Sequence, residues 1–515
     1  MNGYCRILEG RYVDSVVLMR LAQSLAKQDG VDDAAAVMGT DANRALLREG
    51  GFVGTEIAAG ANDLIVSVRA DSGAAAQAAL ARVDELLAAR IDATVERFTT
   101  IDAAVRARQQ SNVVAVSLPG EYAADEARRA LELGRHVFLF SSNVTLEDEL
   151  DLKALARDRG LLCMGPDCGT AIVAGKGLGF ANEVRRGPVG IVGASGTGIQ
   201  VVSTLLEQFG IGVSHAIGCG SRDLSEAVGG VTALAGLEAL ARDDYTQAIV
   251  LISKPAPRPV TDRLRACAAA TSKPVVFGFL GDPDGPATLT EMAQLVAAAV
   301  GEPTQALPDP LGDTVLDEWR TAFAPGQRYI RGLYAGGTLA YEAQLVLRAV
   351  GLEAASNAPL RGAAALRDVQ RSEGHTILDL GSEELTRGRP HPMIDARARS
   401  ARLVEEAADP EVAAILLDVV LGYGAAADPA GDLVPAIIEA RRVAHSAGRE
   451  LAVLAYVCGT SGDPQGLEAQ QQLLLDAGVV VVPTSASLAE AAVRLLAGIA
   501  APGEGATPVV TGGRR

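Results

Sequence analysis

The chain has 515 residues, a net charge of −17, 49% hydrophobic and 21% charged residues. That is the composition of a folded protein of several domains, and its acidity argues against nucleic acid or an acidic membrane surface as partner. No uncharged apolar run reaches membrane-spanning length, and the first residues lack a basic stretch followed by an apolar core, so a cytoplasmic protein is expected. Six cysteines without a C-x-x-C pair and five histidines without ligand spacing argue against a disulfide framework or a metal site.

Residues 1–92 read as a small ferredoxin- or ACT-like α+β domain, with strands at 4–8, 34–38 and 64–68 and helices at 15–25, 41–47 and 73–89. Residues 93–186 read as a Rossmann-like parallel α/β domain with strands at 113–117, 136–140 and 161–164. Open α/β sheets bind ligands at the C-terminal ends of their strands. The loops Leu118-Pro-Gly120, Ser141-Ser-Asn143 and 165–170 should therefore share one rim.

Residues 187–302 open on a short apolar run (Val189, Ile191, Val192), a small-residue turn, and apolar positions Ile199, Val202, Leu205 and Leu206 at helical spacing. The turn puts Ser195, Gly196 and Thr197 at a helix N-terminus, where unpaired N–H groups and the helix dipole favour an anion. The glycines fit G-x-G-x-x-G poorly, and the next strand ends in Gly218-Cys219-Gly220 instead of a ribose-binding acid. A single phosphoryl or carboxylate group is the expected ligand; the alternative is a tight turn that binds nothing.

After a Pro-rich linker over 303–327, residues 328–500 repeat the device, and a tail covers 501–515. Ala194-Ser-Gly-Thr197 matches Ala335-Gly-Gly-Thr338, the stretch 220–223 matches 381–384, strand 248–253 matches 414–419, and 274–279 matches 451–456. The repeat predicts two related α/β units whose helix starts, Ser195–Thr197 and Gly336, Gly337, Thr338, converge on one anion. Ser221 and Arg222 follow a strand of the first unit, Ser382 a strand of the second. The loop 385–395 carries Arg387, Arg389 and His391 between prolines; an arginine there suits a carboxylate or phosphate, and the alternative is a solvated basic loop.

The stretches 165–169, 189–197 and 248–252 resemble the α subunit of succinyl-CoA synthetases, and 330–495 resembles the ligase domain of the β subunit, with Leu378-Asp-Leu-Gly381 and Ala335-Gly-Gly-Thr338 in its motif positions. The stretches 164–170, 177–182 (ending in Asn182) and 388–395 add to the match. An α-like half fused to a β-like ligase domain behind an unusual N-terminal unit resembles the FdrA family. The resemblance implies a multi-domain α/β protein: a Rossmann-like CoA-binding-type domain, two flavodoxin-like ligase domains and the small α+β unit. Two features depart from the synthetases: the strand 273–280 runs into Gly281-Asp-Pro-Asp-Gly285 without a histidine, and no ATP-grasp stretch is read.

The resemblance therefore implies a subunit of an oxamate-type carbamoyltransferase of ureide (allantoin) catabolism. It would use carbamoyl phosphate and an oxamate-like acid, with companion subunits and no cofactor of its own. His391, Arg389 and Arg222 would then act at the reacting group, Ser195, Gly196, Thr197, Gly336, Gly337 and Thr338 on the phosphate, and Arg387, Ser221, Ser382 and Asn182 on the acceptor. The alternatives are an acyl-CoA-synthetase-like or CoA-transfer protein, which would bind CoA, and a non-catalytic scaffold subunit.

Overall fold

Four β-sheets organise the chain, seen in a computed structural model that describes residues 3–11, 13, 15–52, 58–88, 96–304, 307, 311–386 and 390–497. The first holds β1 (Gly3–Leu8), β2 (Val31–Met38) and β3 (Leu64–Ala70), antiparallel in the order β1-β3-β2, with helices α1 (Ser15–Ala26), α2 (Asp41–Glu49), α3 (Gly73–Ala81) and α4 (Val83–Ala88). The two-residue period of β3 puts Leu64, Val66 and Val68 into one apolar cluster and Ile65 into another, so both faces of the sheet are covered. The helix expected over 73–89 breaks at Arg82, which C-caps α3.

After α5 (Ile101–Ala107) comes a parallel sheet of β4 (Val113–Val116), β5 (His136–Leu139) and β6 (Cys163–Met164), with α6 (Gly120–Glu132) and α7 (Leu146–Asp158) between them. Its three rim loops are tied together: Ser141 Oγ accepts from Leu118 N at 2.9 Å and its carbonyl accepts from Asp167 N at 2.9 Å.

The third sheet has the order β12-β11-β9-β10-β7-β8. Its strands are β7 (Thr170–Val173), β8 (Lys176–Gly179), β9 (Val189–Gly193), β10 (Val213–Gly218), β11 (Ala248–Ser253) and β12 (Val275–Phe279). Helices α8 (Gly196–Gln208), α9 (Val231–Arg242), α10 (Arg258–Ala269) and α11 (Leu289–Ala299) connect and follow the parallel strands. The hairpin β7–β8, turned by Ala174 and Gly175 at φ 50° and 77°, pairs antiparallel with the edge of β10, so 170–179 belongs to this sheet.

Helix α12 (Asp313–Ala322) leads into the fourth sheet, ordered β14-β15-β13-β16-β17-β18. It contains β13 (Tyr329–Tyr334), α13 (Gly337–Ala349), β14 (Ala354–Ala355), β15 (His375–Asp379), α14 (Glu383–Thr386), α15 (Arg397–Ala408), β16 (Val412–Val420), α16 (Pro429–Ser446), β17 (Ala452–Cys458), α17 (Leu467–Asp476), β18 (Val480–Val482) and α18 (Ser485–Leu496). The four parallel strands β12-β11-β9-β10 and β17-β16-β13-β15 have one topology, so the sequence repeat is a structural repeat. Its two copies share one apolar core, in which Ile199, Leu205 and Met292 join Leu339, Ala343 and Leu488.

Polar groups close the same interface. Asn182 is buried; its Nδ2 donates to Asp463 Oδ2 at 2.7 Å and Leu421 O at 3.1 Å, and its Oδ1 accepts from Gln200 at 3.1 Å. Glu342, fully buried on α13, accepts from Leu289 N at the start of α11 at 2.6 Å. Burial pushes its carboxyl up to about 7 against that hydrogen bond. A pKa raised on folding means stability is fully present below the ordinary carboxylate range and is lost as pH rises through about 7. Glu342→Gln keeps the acceptor without the charge. Its stability gain over the wild type should grow from near zero at pH 4.5 to about 3 kcal/mol at pH 8, read by chemical denaturation across that range. Parallel pH profiles would refute the assignment.

Candidate functional site

The two repeated helix starts meet. Ser195 N-caps α8 with extended backbone, its Oγ accepting from Gly198 N at 2.9 Å. The same oxygen lies 2.5 Å from Thr338 Oγ1 in the first turn of α13, and both side chains are buried. This approach requires glycine at 336, because a Cβ there would come 2.8 Å from Thr197 Cγ2.

The two starts are not electrostatically equal. No side chain caps Gly336; instead Asp418, buried on β16, accepts from Ala335 N at 2.7 Å and Gly336 N at 2.8 Å. Arg399 Nη2 balances Asp418 at 2.8 Å, although burial works against the guanidinium's charge. Asp379, at the end of β15, accepts from Gly381 N at 3.1 Å and turns Oδ2 to within 2.3 Å of where Gly337 would carry a Cβ. Burial raises the Asp379 pKa, while the nearby Lys254 pulls it back. Lys254 follows β11, whose Ile252 carbonyl accepts from Ala194 N at 3.0 Å, and its Nζ stands 5.6 Å from the Tyr341 ring of α13. It is thus a cation beside the start of α13, on a strand end that also holds the turn before α8.

His391 forms one wall. Its Nδ1 accepts from Met393 N at 3.2 Å, so the neutral ring carries its proton on Nε2, which packs 2.6 Å from a Cβ position at Gly381. Burial holds its pKa down to about 4. At neutral pH it can donate a hydrogen bond through Nε2 but has no imidazolium proton to give. The His391 ring lies 5.6 Å from that of Phe180, whose carbonyl accepts from Thr170 Oγ1 at 2.7 Å; that hydroxyl is 3.1 Å from a Cβ position at Gly196.

The structure brings together Ser195, Gly196, Thr197, Gly336, Gly337, Thr338 and His391, and gives five of the expected site residues partners within the protein. The Gly336 N–H is spent on Asp418. Arg222 is committed to Glu149 at 2.9 Å and Val144 O at 2.6 Å, beside a buried Lys153–Asp223 pair at 2.6 Å that holds α7 on the sheet. Ser221 faces Asp167, and Asn182 is the buried interface clamp described above. Ser382 accepts from Asn357 at 3.1 Å. Arg387 and Arg389 lie outside the described residues. Sequence reasoning missed Lys254, Asp379 and Asp418, although an aspartate inside the apolar run of 412–420 is a legible signal of a buried acceptor.

Family models described as "AllF, heavy metal-associated domain", "CoA binding domain" and "CoA-ligase" match residues 1–100, 184–281 and 333–495. The CoA-binding match falls on the β9–β12 unit. YahF of Escherichia coli K12, an uncharacterised protein, is 43% identical over 491 residues, 92% of this chain and 95% of YahF. The α subunit of ADP-forming succinate–CoA ligase from Staphylococcus aureus is 27% identical over 193 residues, spanning 37% of this chain and 62% of that subunit. A solved acetyl-coenzyme A synthetase of Ca. Korarchaeum cryptofilum, in complex with phosphate and ADP, covers 78% of this chain and 85% of its own at 15% identity, with a TM-score of 0.31. The fold is accordingly multi-domain α/β, with CoA-binding and CoA-ligase-type units on parallel sheets and a small N-terminal domain.

The first 100 residues hold one cysteine, Cys5, and no histidine, a donor set that does not fit a heavy-metal ion. Among the described residues no helix is long and apolar enough to cross a membrane. His391 is expected to stay neutral, protonated on Nε2, from pH 8 down to pH 5. Nitrogen-15 spectra of histidine-labelled protein read this directly; a resonance lost in His391→Asn that titrates near 6.5 would show the ring to be solvated.

Proposed function

The chain belongs to the same family as YahF of Escherichia coli, and from that premise we propose that it is a CoA-ligase-like group-transfer protein handling a small acyl phosphate. The observation that carries this reading is the meeting of the α8 and α13 starts at Ser195 and Thr338, with the Lys254 ammonium 5.6 Å from the Tyr341 ring of α13. Each helix end offers about half a positive charge. A phosphate brings about two negative charges, and Asp418 and Asp379 already face α13. The phosphate therefore belongs on the α8 side, on the first-turn N–H groups of Gly196 and Thr197, with Lys254 as counter-charge.

In this reading the reaction is a direct acyl transfer. A nucleophile, the CoA thiol in this reading, attacks the carbonyl carbon of the acyl phosphate; the bond to the phosphoryl oxygen breaks and inorganic phosphate leaves with the displaced charge. The nucleophile's proton passes to the departing phosphate. Helix N–H groups and Lys254 stabilise the phosphate as it forms, and His391 offers a neutral N–H to the developing oxyanion.

One feature supports a second reading, oxamate-type carbamoyl transfer by an FdrA-type subunit with companion subunits. The loop 280–288 after β12 contains no histidine to carry a phosphoryl group. Carbamoyl phosphate arrives already activated and needs neither a phosphohistidine nor a nucleotide; the oxamate nitrogen then replaces the thiol.

Phosphate release from acetyl phosphate with CoA, and from carbamoyl phosphate with oxamate, separates the two readings when measured with and without companion subunits. Lys254→Met is expected to lower whichever activity is found by about 10²-fold, with the melting temperature unchanged. Wild-type rates in that variant would remove Lys254 from the site; no phosphate release from either donor, with companions present, would end the group-transfer reading.

A further inference from the structure

A half-open cavity of about 150 Å³ lies on the rim of the second sheet, lined by Ala115, Val116 and Ser117 at the end of β4, Phe138 and Phe140 at the end of β5, and Gly179, Phe180 and Gly424. Three units of the fold contribute walls, and C-terminal strand ends at a junction of units are where α/β proteins place ligands. Glycine at 424 is required for this closure: it has φ 80°, and a Cβ there would meet Gly179 O at 3.0 Å and Phe180 Cδ1 at 3.2 Å.

The lining decides the chemistry. Three phenyl rings stand in sequence, Phe138 to Phe140 at 6.3 Å and Phe140 to Phe180 at 5.5 Å between centroids. Ser117 is the one hydroxyl-bearing residue of the lining. A half-open cavity of about this volume with aliphatic and phenyl walls gives water few partners and fits a benzene-sized group. A small dicarboxylate or amide would lose its hydration there without replacement hydrogen bonds.

Position supplies the link to the site. Phe180 is shared by the cavity and the helix pair: its ring lines the cavity and meets His391, and its carbonyl holds Thr170 against the start of α8.

We propose that this cavity seats the side chain of a carboxylic acid bearing one compact apolar group, a branched alkyl or a single ring, whose carboxyl end is the group transferred at the helix pair. The inference rests on the group-transfer reading for its carboxyl end alone. It goes beyond that reading in naming the acid class.

Titration calorimetry of the full chain with isobutyrate, phenylacetate, succinate and oxamate tests it. The two apolar acids should bind more tightly than the polar pair, and toluene, without a carboxylate, more weakly than phenylacetate. Ala115 is exposed on its strand, so Ala115→Trp fills the mouth without disturbing the core. It should weaken phenylacetate by about 30-fold, the loss of one buried ring's transfer free energy, at unchanged melting temperature. Phe140→Leu opens the cavity instead and should shift preference from phenylacetate to the longer 3-phenylpropionate. Tighter binding of succinate or oxamate, or phenylacetate affinity unmoved by both variants, overturns the inference. Toluene binding as tightly as phenylacetate also overturns it, by cutting the cavity from the carboxylate. Inorganic phosphate titrated separately reads the helix pair: failure of phosphate to bind while phenylacetate binding follows the variants defeats the group-transfer reading and leaves the cavity assignment standing.

Discussion

Bringing two helix N-termini together is unfavourable in itself. Each carries about half a positive charge, and two such ends about 4 Å apart repel by roughly 1 kcal/mol at an effective dielectric of about 20. The fold opposes this in two ways. The α8 and α13 units share one apolar core, so the helices cannot separate without exposing Leu339, Ile199 and their neighbours. Asp418, fully buried, then neutralises one of the two ends by taking the N–H groups of Ala335 and Gly336. What stays open on α8 is the N–H pair of Gly196 and Thr197, Gly198 N being capped by Ser195, while the uncapped first turn of α13 faces the carboxylates of Asp379 and Asp418. A duplicated device has become an asymmetric one, and the asymmetry decides where an anion is welcome.

That asymmetry explains which parts of the site were legible in the sequence. The glycine-rich turns announce themselves locally, and their spacing within matching strand patterns shows the repeat, so the meeting of Ser195 with Thr338 follows from the order of residues alone. The partners that set the charge are not local. Arg222 looks like a free cation in its loop until α7, 73 residues earlier, supplies Glu149. Asn182 sits in a motif-like stretch, yet its partners Leu421 and Asp463 come from the other half of the chain. Lys254 is one lysine among 46 basic residues, and only the pairing of β11 with β9 carries it to the helix starts. The sheet that the hairpin β7–β8 joins is non-local for the same reason: whether a short apolar run joins the sheet before it or after it is decided by which edge is open, here that of β10.

The N-terminal unit stands apart from this logic. Its core is its own, and among the described residues two ion pairs link it to the rest: Lys27 reaches Asp432 at 2.9 Å, and Arg397 pairs with Asp33. Exposed pairs of that kind contribute about 0–1 kcal/mol each. The unit is therefore held as an appended module, whereas the two ligase-type units form one folding body through their common core.

His391 is neutral because protein surrounds it, and part of that surrounding is Phe180, which is also a wall of the apolar cavity. One side chain thus fixes two properties: it keeps water from a ring that must stay neutral to serve as a donor, and it faces the cavity with a surface that rejects polar groups. Replacing Phe180 by a small polar residue would hydrate both at once, raising the histidine's pKa and wetting the cavity together. The dryness that gives the candidate site its electrostatics is, on the other side of the same ring, the basis of its selectivity.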